Sequence, residues 1–151
     1  MRVAVPTLLA GLLLIACDAA PPRAPEDELR TALDEIVAAL EDHDPEAVLR
    51  FFAFDFREEG GLDYGDLQSI VLTHLLRSEP IGARLESVVI RPETPPGTGY
   101  RAELQLILAR GSRLRDPGLP LPTGAVRYAI ELRFERGESG WQAHAGRYRR
   151  L

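Results

Sequence analysis

The chain predicts an α+β domain in which three N-terminal helices pack on a curved, mainly antiparallel sheet of four strands or more. Three observations carry this. Apolar residues recur at helical spacing in the first half and alternate strictly in the second half. The alternating segments have one apolar and one charged face, as in an antiparallel sheet covered on one side only. Proline and glycine clusters separate the segments.

From Glu26 to about Glu41, Leu29, Leu33, Ile36, Val37 and Leu40 form a single apolar stripe. Asp44-Pro45-Glu46 reads as an N-cap, a proline at the first helical position and an acid in the first turn. The second helix is expected to carry Val48, Leu49, Phe51 and Phe52, giving way to a short extended piece at Phe54-Asp55-Phe56. After Gly60-Gly61, Asp63 and Asp66 suit the cap of a third helix with the stripe Leu67, Ile70, Val71, His74 and Leu75. Strands follow at Arg84–Arg91, Tyr100–Ala109, Val126–Arg136 and Trp141–Tyr148, the last two joined by a Gly-containing turn.

An N-terminal segment precedes this domain. Arg2 is followed by an apolar run from Val3 to Ile15, which as a helix spans about 20 Å, short of a bilayer core of about 30 Å. A charged start, a short apolar stretch and small residues mark a secretory signal. Leu14-Ile15-Ala16-Cys17 resembles the lipobox of bacterial lipoproteins. The resemblance implies cleavage before Cys17, lipid on its sulfur, and a place in the cell envelope facing the periplasm. Asp18 implies the inner membrane where the enteric sorting rule applies. The chain thus divides into a signal peptide at 1–16, a lipidated cysteine with a Pro-rich tether at 17–25, and a domain at 26–151. Cys17 is the only cysteine, so acylation leaves no thiol for a disulfide or for catalysis. The net charge of −5 disfavours nucleic acid as a partner.

The order of elements is similar to that of the NTF2-like (SnoaL-like) superfamily. The matching marks are the opening amphipathic helix, Asp44-Pro45-Glu46-Ala47, Phe54-Asp55-Phe56, Gly61-Leu62-Asp63 and the final hairpin through Gly140-Trp141-Gln142-Ala143. The resemblance implies a curved sheet wrapped round helices, a cone with a pocket at its open end. Some members are isomerases or dehydratases, while others bind or assemble, so the fold does not fix the function.

Candidate residues follow from chemistry. His74 and Asp55 are weak general-base candidates, each with a plainer structural role available. His74, Tyr100, Tyr128 and Trp141 could line a pocket, although His74 fits a core edge and Trp141 a core position better. His144 falls in phase with Gln142 and Tyr148, opposite to Trp141. Asp42-His43-Asp44 has ligand chemistry, but three adjacent residues on a turn do not converge on one ion, and no metal or cofactor is expected. The long loop Gly111–Gly124, with Arg113, Leu114, Arg115, Leu119 and Leu121, suits either a partner or a stiff surface. The sequence therefore favours a membrane-anchored module that binds a small apolar ligand or an envelope protein without catalysis. A SnoaL-like enzyme using His74 or Asp55 and a structural assembly subunit are the alternatives. A homodimer is compatible with each.

Overall fold

Pro25 opens the first helix, and three acids in its first turn complement the helix dipole. The computed structural model describes residues 23–77, 79–114, 116 and 118–151. The lipobox and Cys17 lie outside the described residues. In order, the elements are α1 (Pro25–Glu41), α2 (Pro45–Leu49), β1 (Phe52–Glu58), α3 (Tyr64–Leu75), β2 (Ile81–Pro92), β3 (Tyr100–Arg110), β4 (Val126–Gly137) and β5 (Gly140–Arg150).

The caps read from sequence are formed. Asp44 accepts the Ala47 N–H at 2.9 Å, and Asp63 and Asp66 build a reciprocal capping box. One expectation is corrected and another extended. Helix α2 ends at Leu49, because the Phe51 carbonyl accepts the Ala143 N–H and Phe52 stands in register with Ala143. Pairing with the sheet takes these residues from the helix. The extended piece after them is a full strand, so the sheet has five strands in the order β1-β5-β4-β3-β2, with β1 parallel to β5 and the other pairs antiparallel.

The fold is the NTF2-like α+β fold, with helices packed against a mixed five-stranded sheet that does not close. Leu29 and Leu33 of α1 meet Phe56, Ala102, Leu104, Leu132, Phe134 and Ala143 on the inner sheet face. Burial of a side chain such as Phe134 or Leu29, each almost wholly inaccessible, is worth about 1.5–3 kcal/mol. A second cluster joins Ala39, Val48, Leu49, Val71 and Leu75 of the three helices. Val71 and Leu75 are the buried part of the α3 stripe, whereas Ile70 is exposed and His74 half-buried.

Helix α1 also seals the free edge of β2. Arg30 donates to the Val88 carbonyl at 3.4 Å, and Glu41 accepts the Ala83 N–H at 3.2 Å. The helix from 30 to 41 and the strand from 88 to 83 each cover about 16 Å, so the two contacts keep step. Glu41 is buried, and its Oε1 also accepts the Leu114 N–H at 2.8 Å. The loop after β3 thereby wraps the edge of β2. It crosses at Gly82, where a Cβ would collide with the Ser112 carbonyl oxygen and Leu114.

Glu41→Ala leaves two buried N–H groups without their acceptor and is expected to cost about 2–4 kcal/mol in urea unfolding. Glu41→Gln keeps an accepting oxygen and loses less. Equal losses for the two variants would contradict this account.

Candidate functional site

The outer face of the sheet carries charge in bands set by the strand register. Arg91, Arg101 and Arg133 stand directly opposite one another across β2, β3 and β4. One step along, Glu103 and Glu131 face each other, and Arg147 of β5 completes that row. Like charges directly opposite one another are destabilising. The side chains relieve this on the diagonal: Arg91 reaches Glu103 at 3.3 Å, and Arg101 reaches Glu131 at 3.6 Å. Glu93, just past β2, bridges the basic row, at 3.0 Å from Arg101 and 3.7 Å from Arg133. Arg147 closes the network on Glu131 at 2.6 Å.

Of these groups, Arg101, Glu103, Glu131 and Arg147 border an open depression of about 890 Å³. Glu58, Glu59 and Gly60 wall one side, Ser87 and Val89 the other, with Gln105 and Arg149 between. Hydrogen bonding from Arg101 holds the Glu93 carboxyl below the usual glutamate value, against the opposing effect of desolvation. The same contact raises Arg101. Further along, Arg127 grips Glu86 through two bonds of 2.9 and 3.0 Å, and the Glu86 carboxyl is lowered by that fork. The far end of the outer face is dry. There Leu114 of the long loop covers Ile107 and Ala109, with Leu121 and Ala125 beside it.

The candidate residues fall in separate places. Trp141 lies on the inner face, its ring 5.5 Å from Tyr100, and its indole N–H donates to Glu28 at 2.9 Å. That bond is the largest influence lowering the Glu28 carboxyl. Tyr100 is opposite Phe134, so Tyr128 stands about 20 Å further down β4, beside Tyr148. His74 Nδ1 accepts from Arg110 at 3.0 Å, since a guanidinium can only donate. Of the loop residues, Leu114 is buried, Leu121 half-buried, and Arg113 and Leu119 exposed, while Arg115 lies outside the described residues.

Asp55 pairs with His144, Oδ1 to Nδ1, at 2.7 Å. The pair arises from a matched irregularity. Ala143 is opposite Phe134 and Ala145 opposite Arg133, so His144 is the extra residue of a bulge. On the other side, β1 also slips register between Phe52 and Arg57. The bulge corrects the phase read from sequence: Tyr148, opposite Ile130, shares the inner face with Trp141. A carboxylate holding an imidazole can position a proton, but neither residue lines the depression. Among the described residues, no three His, Cys, Asp or Glu stand together as metal ligands, and no helix is long and apolar enough to cross a membrane.

No family model matches the chain, and no curated protein does. Solved structures do. An NTF2-like superfamily protein of Salmonella enterica serovar Typhimurium is 14% identical with a TM-score of 0.62, over 83% of this chain and 90% of that one. An NTF2-like protein of Cytophaga hutchinsonii is 10% identical with a TM-score of 0.60, over 85% of this chain and all of that one. Bd1075 of Bdellovibrio bacteriovorus is 11% identical with a TM-score of 0.65, over 83% of this chain, which spans 40% of that longer one. At such identities the likeness is one of fold.

Because the Glu93 carboxyl is lowered on folding, its contribution to stability is present above the ordinary value of 4.5 and is lost as pH falls through the lowered one. Glu93→Gln should therefore flatten the decline of the melting temperature below about pH 4.5. An unchanged slope would show that the Arg101 contact does not persist in solution.

Proposed function

We propose that this chain is a lipid-anchored envelope protein whose NTF2-like domain binds a protein partner through its outer sheet face, without catalysis. The observation that carries this is the contrast between the two faces. The inner side, where the cone fold could hold a small apolar ligand, is occupied by Leu29, Leu33, Phe56, Leu104, Leu132 and Phe134, with Phe52, Tyr100 and Trp141 packed against them. The outer side is an open depression with its charges already fixed by ion pairs. Pre-positioned charges favour association with a complementary protein surface, because little side-chain freedom is lost on docking. The acid-base candidates support a binding role as well. His74 is held by Arg110, Asp55 by His144, and Tyr100 and Tyr128 are far apart.

The lipobox at 14–17 supports the anchor, and residues 18–25 would tether the domain above the lipid. Asp18 favours the inner membrane where the enteric rule applies.

Metabolic labelling with a palmitate analogue is expected to mark the wild type and not Cys17→Ser. Labelling of the variant would remove the anchor from this reading. For the outer face, a photo-crosslinking residue in place of Ser87 should capture a protein in native membranes, and Glu103→Arg should weaken that capture. No capture from this face would defeat the partner assignment.

A further inference from the structure

The hydrogen bonds that α1 makes along the edge of β2 end at Val88, and the strand runs on to Pro92 with its outward backbone groups open. In an antiparallel ladder the N–H and C=O of one residue point to the same edge, and successive residues alternate between edges. The Val88 carbonyl points away from β3, because Arg30 donates to it. Ile90 and Pro92 therefore point away from β3 as well. The Glu93 N–H, which donates to the Gly99 carbonyl at 2.9 Å, points the other way, as the alternation requires. Ala83 also points outward, and the bulge between Leu85 and Ser87 accounts for the change of parity. Among the described residues, the Val88 N–H, both groups of Ile90 and the Pro92 carbonyl take no partner.

These groups are complementary to themselves. A two-fold axis through Ile90, normal to the sheet, sets Ile90 opposite Ile90 of a second copy, and the two exchange both bonds of a hydrogen-bonded pair. The next such pair is Val88 with Pro92 of the second copy, where the Val88 N–H meets an open carbonyl. The return bond is neither possible nor needed, since proline has no N–H and the Val88 carbonyl is already held by Arg30. A proline on an edge strand ordinarily guards against pairing. Here it blocks the one position that is closed already.

The side chains agree on both faces. On the inner face the seam sets Ile90 against Ile90 and Val88 against Pro92, all apolar. On the outer face it sets Arg91 against Val89 of the second copy. Within one copy Arg91, Arg101 and Arg133 form a basic row, and Val89, Glu103 and Glu131 lie in the next row. Across the seam the basic row runs in line with Val89, Glu103 and Glu131 of the second copy. A slip of two residues would instead set Arg91 directly against Arg91, which like-charge repulsion disfavours.

We infer that β2 pairs with β2 of a second copy over Val88–Pro92, joining two five-stranded sheets into one with both outer depressions on the same side. The inference does not depend on the partner reading above. So short a seam belongs with transient contacts, below about 1,200 Å² of buried surface, and the test therefore traps it.

The full chain is produced in bacteria with one cysteine added and is oxidised before lysis, and the wild type, with Cys17 alone, sets the background. The Cα atoms of a hydrogen-bonded pair lie about 5.5 Å apart, within disulfide reach. Ile90→Cys should therefore give a disulfide-linked pair of copies at least about tenfold above Ser87→Cys, whose two sites lie about 20 Å apart across the seam. In the Ile90→Cys chain, adding Val88→Pro removes the N–H that reaches Pro92 and should cut the yield about tenfold. Adding Arg91→Glu instead should cut it about threefold or more, and Glu103→Arg on top of that should restore it, a rescue that a folding defect would not show. Thermal melts check each variant, and if Val88→Pro melts early the charge pair carries the test. Equal yields from Ile90→Cys and Ser87→Cys would overturn the inference, as would a yield that neither Val88→Pro nor Arg91→Glu lowers. So would an Ile90→Cys product that contains a different protein, for the edge would then take a foreign strand.

Discussion

Helix α1 is fixed to the sheet by three side chains, and the arrangement of the whole domain depends on them. Glu28 takes the Trp141 indole at the opening of β5, Arg30 reaches Val88 in the middle of β2, and Glu41 takes Ala83 at its start. The helix therefore runs antiparallel along β2, and its first turn reaches across the inner face to the opening of β5. Leu29 and Leu33 between those points have one depth at which they can enter the core. Glu41 matters most, because its carboxylate also holds Leu114 and so commits the long loop to the outer face. An edge strand with open N–H groups would otherwise be free to pair with another chain.

The two faces of the sheet consequently have different physics. The inner face is filled by side chains from the helices and by its own aromatic residues. The outer face keeps water at one end and excludes it at the other. Where it is wet, register forces arginine against arginine and glutamate against glutamate, and diagonal pairing resolves the conflict. Such exposed pairs contribute little to stability individually. Their effect is positional, since each guanidinium in the network is already committed.

Much of the fold was legible in the sequence because its signals are local. Asp44 and Asp63 announce helix starts by chemistry that needs no tertiary context. The alternation of Tyr100 to Leu108 and Val126 to Phe134 assigns faces that the register upholds. The bulge at His144 was not legible. A one-residue insertion leaves no mark in composition, yet it reverses the phase of everything after it and moves Tyr148 to the inner face. The Asp55–His144 pair was hidden for the same reason, being a contact between strands distant in sequence. Glu41 did leave a trace. It stands in helical phase with Leu33 and Val37, so an acid on the apolar stripe signals a buried acceptor.

The parallel pairing of β1 with β5 has a consequence in time. Phe52 meets Ala143 across about 90 residues of chain, so this edge forms by one of the least local contacts in the molecule. A chain that emerges from its N-terminus presents α1, α2 and β1 long before the strand that completes them exists. Until β5 arrives, Leu29, Leu33 and Phe56 lack Phe134 and Ala143, which come last. The helical half is therefore a late-satisfied surface, exposed through most of synthesis and suited to a holding factor during that interval. The order of elements along the chain thus sets when the domain is vulnerable as well as what shape it takes.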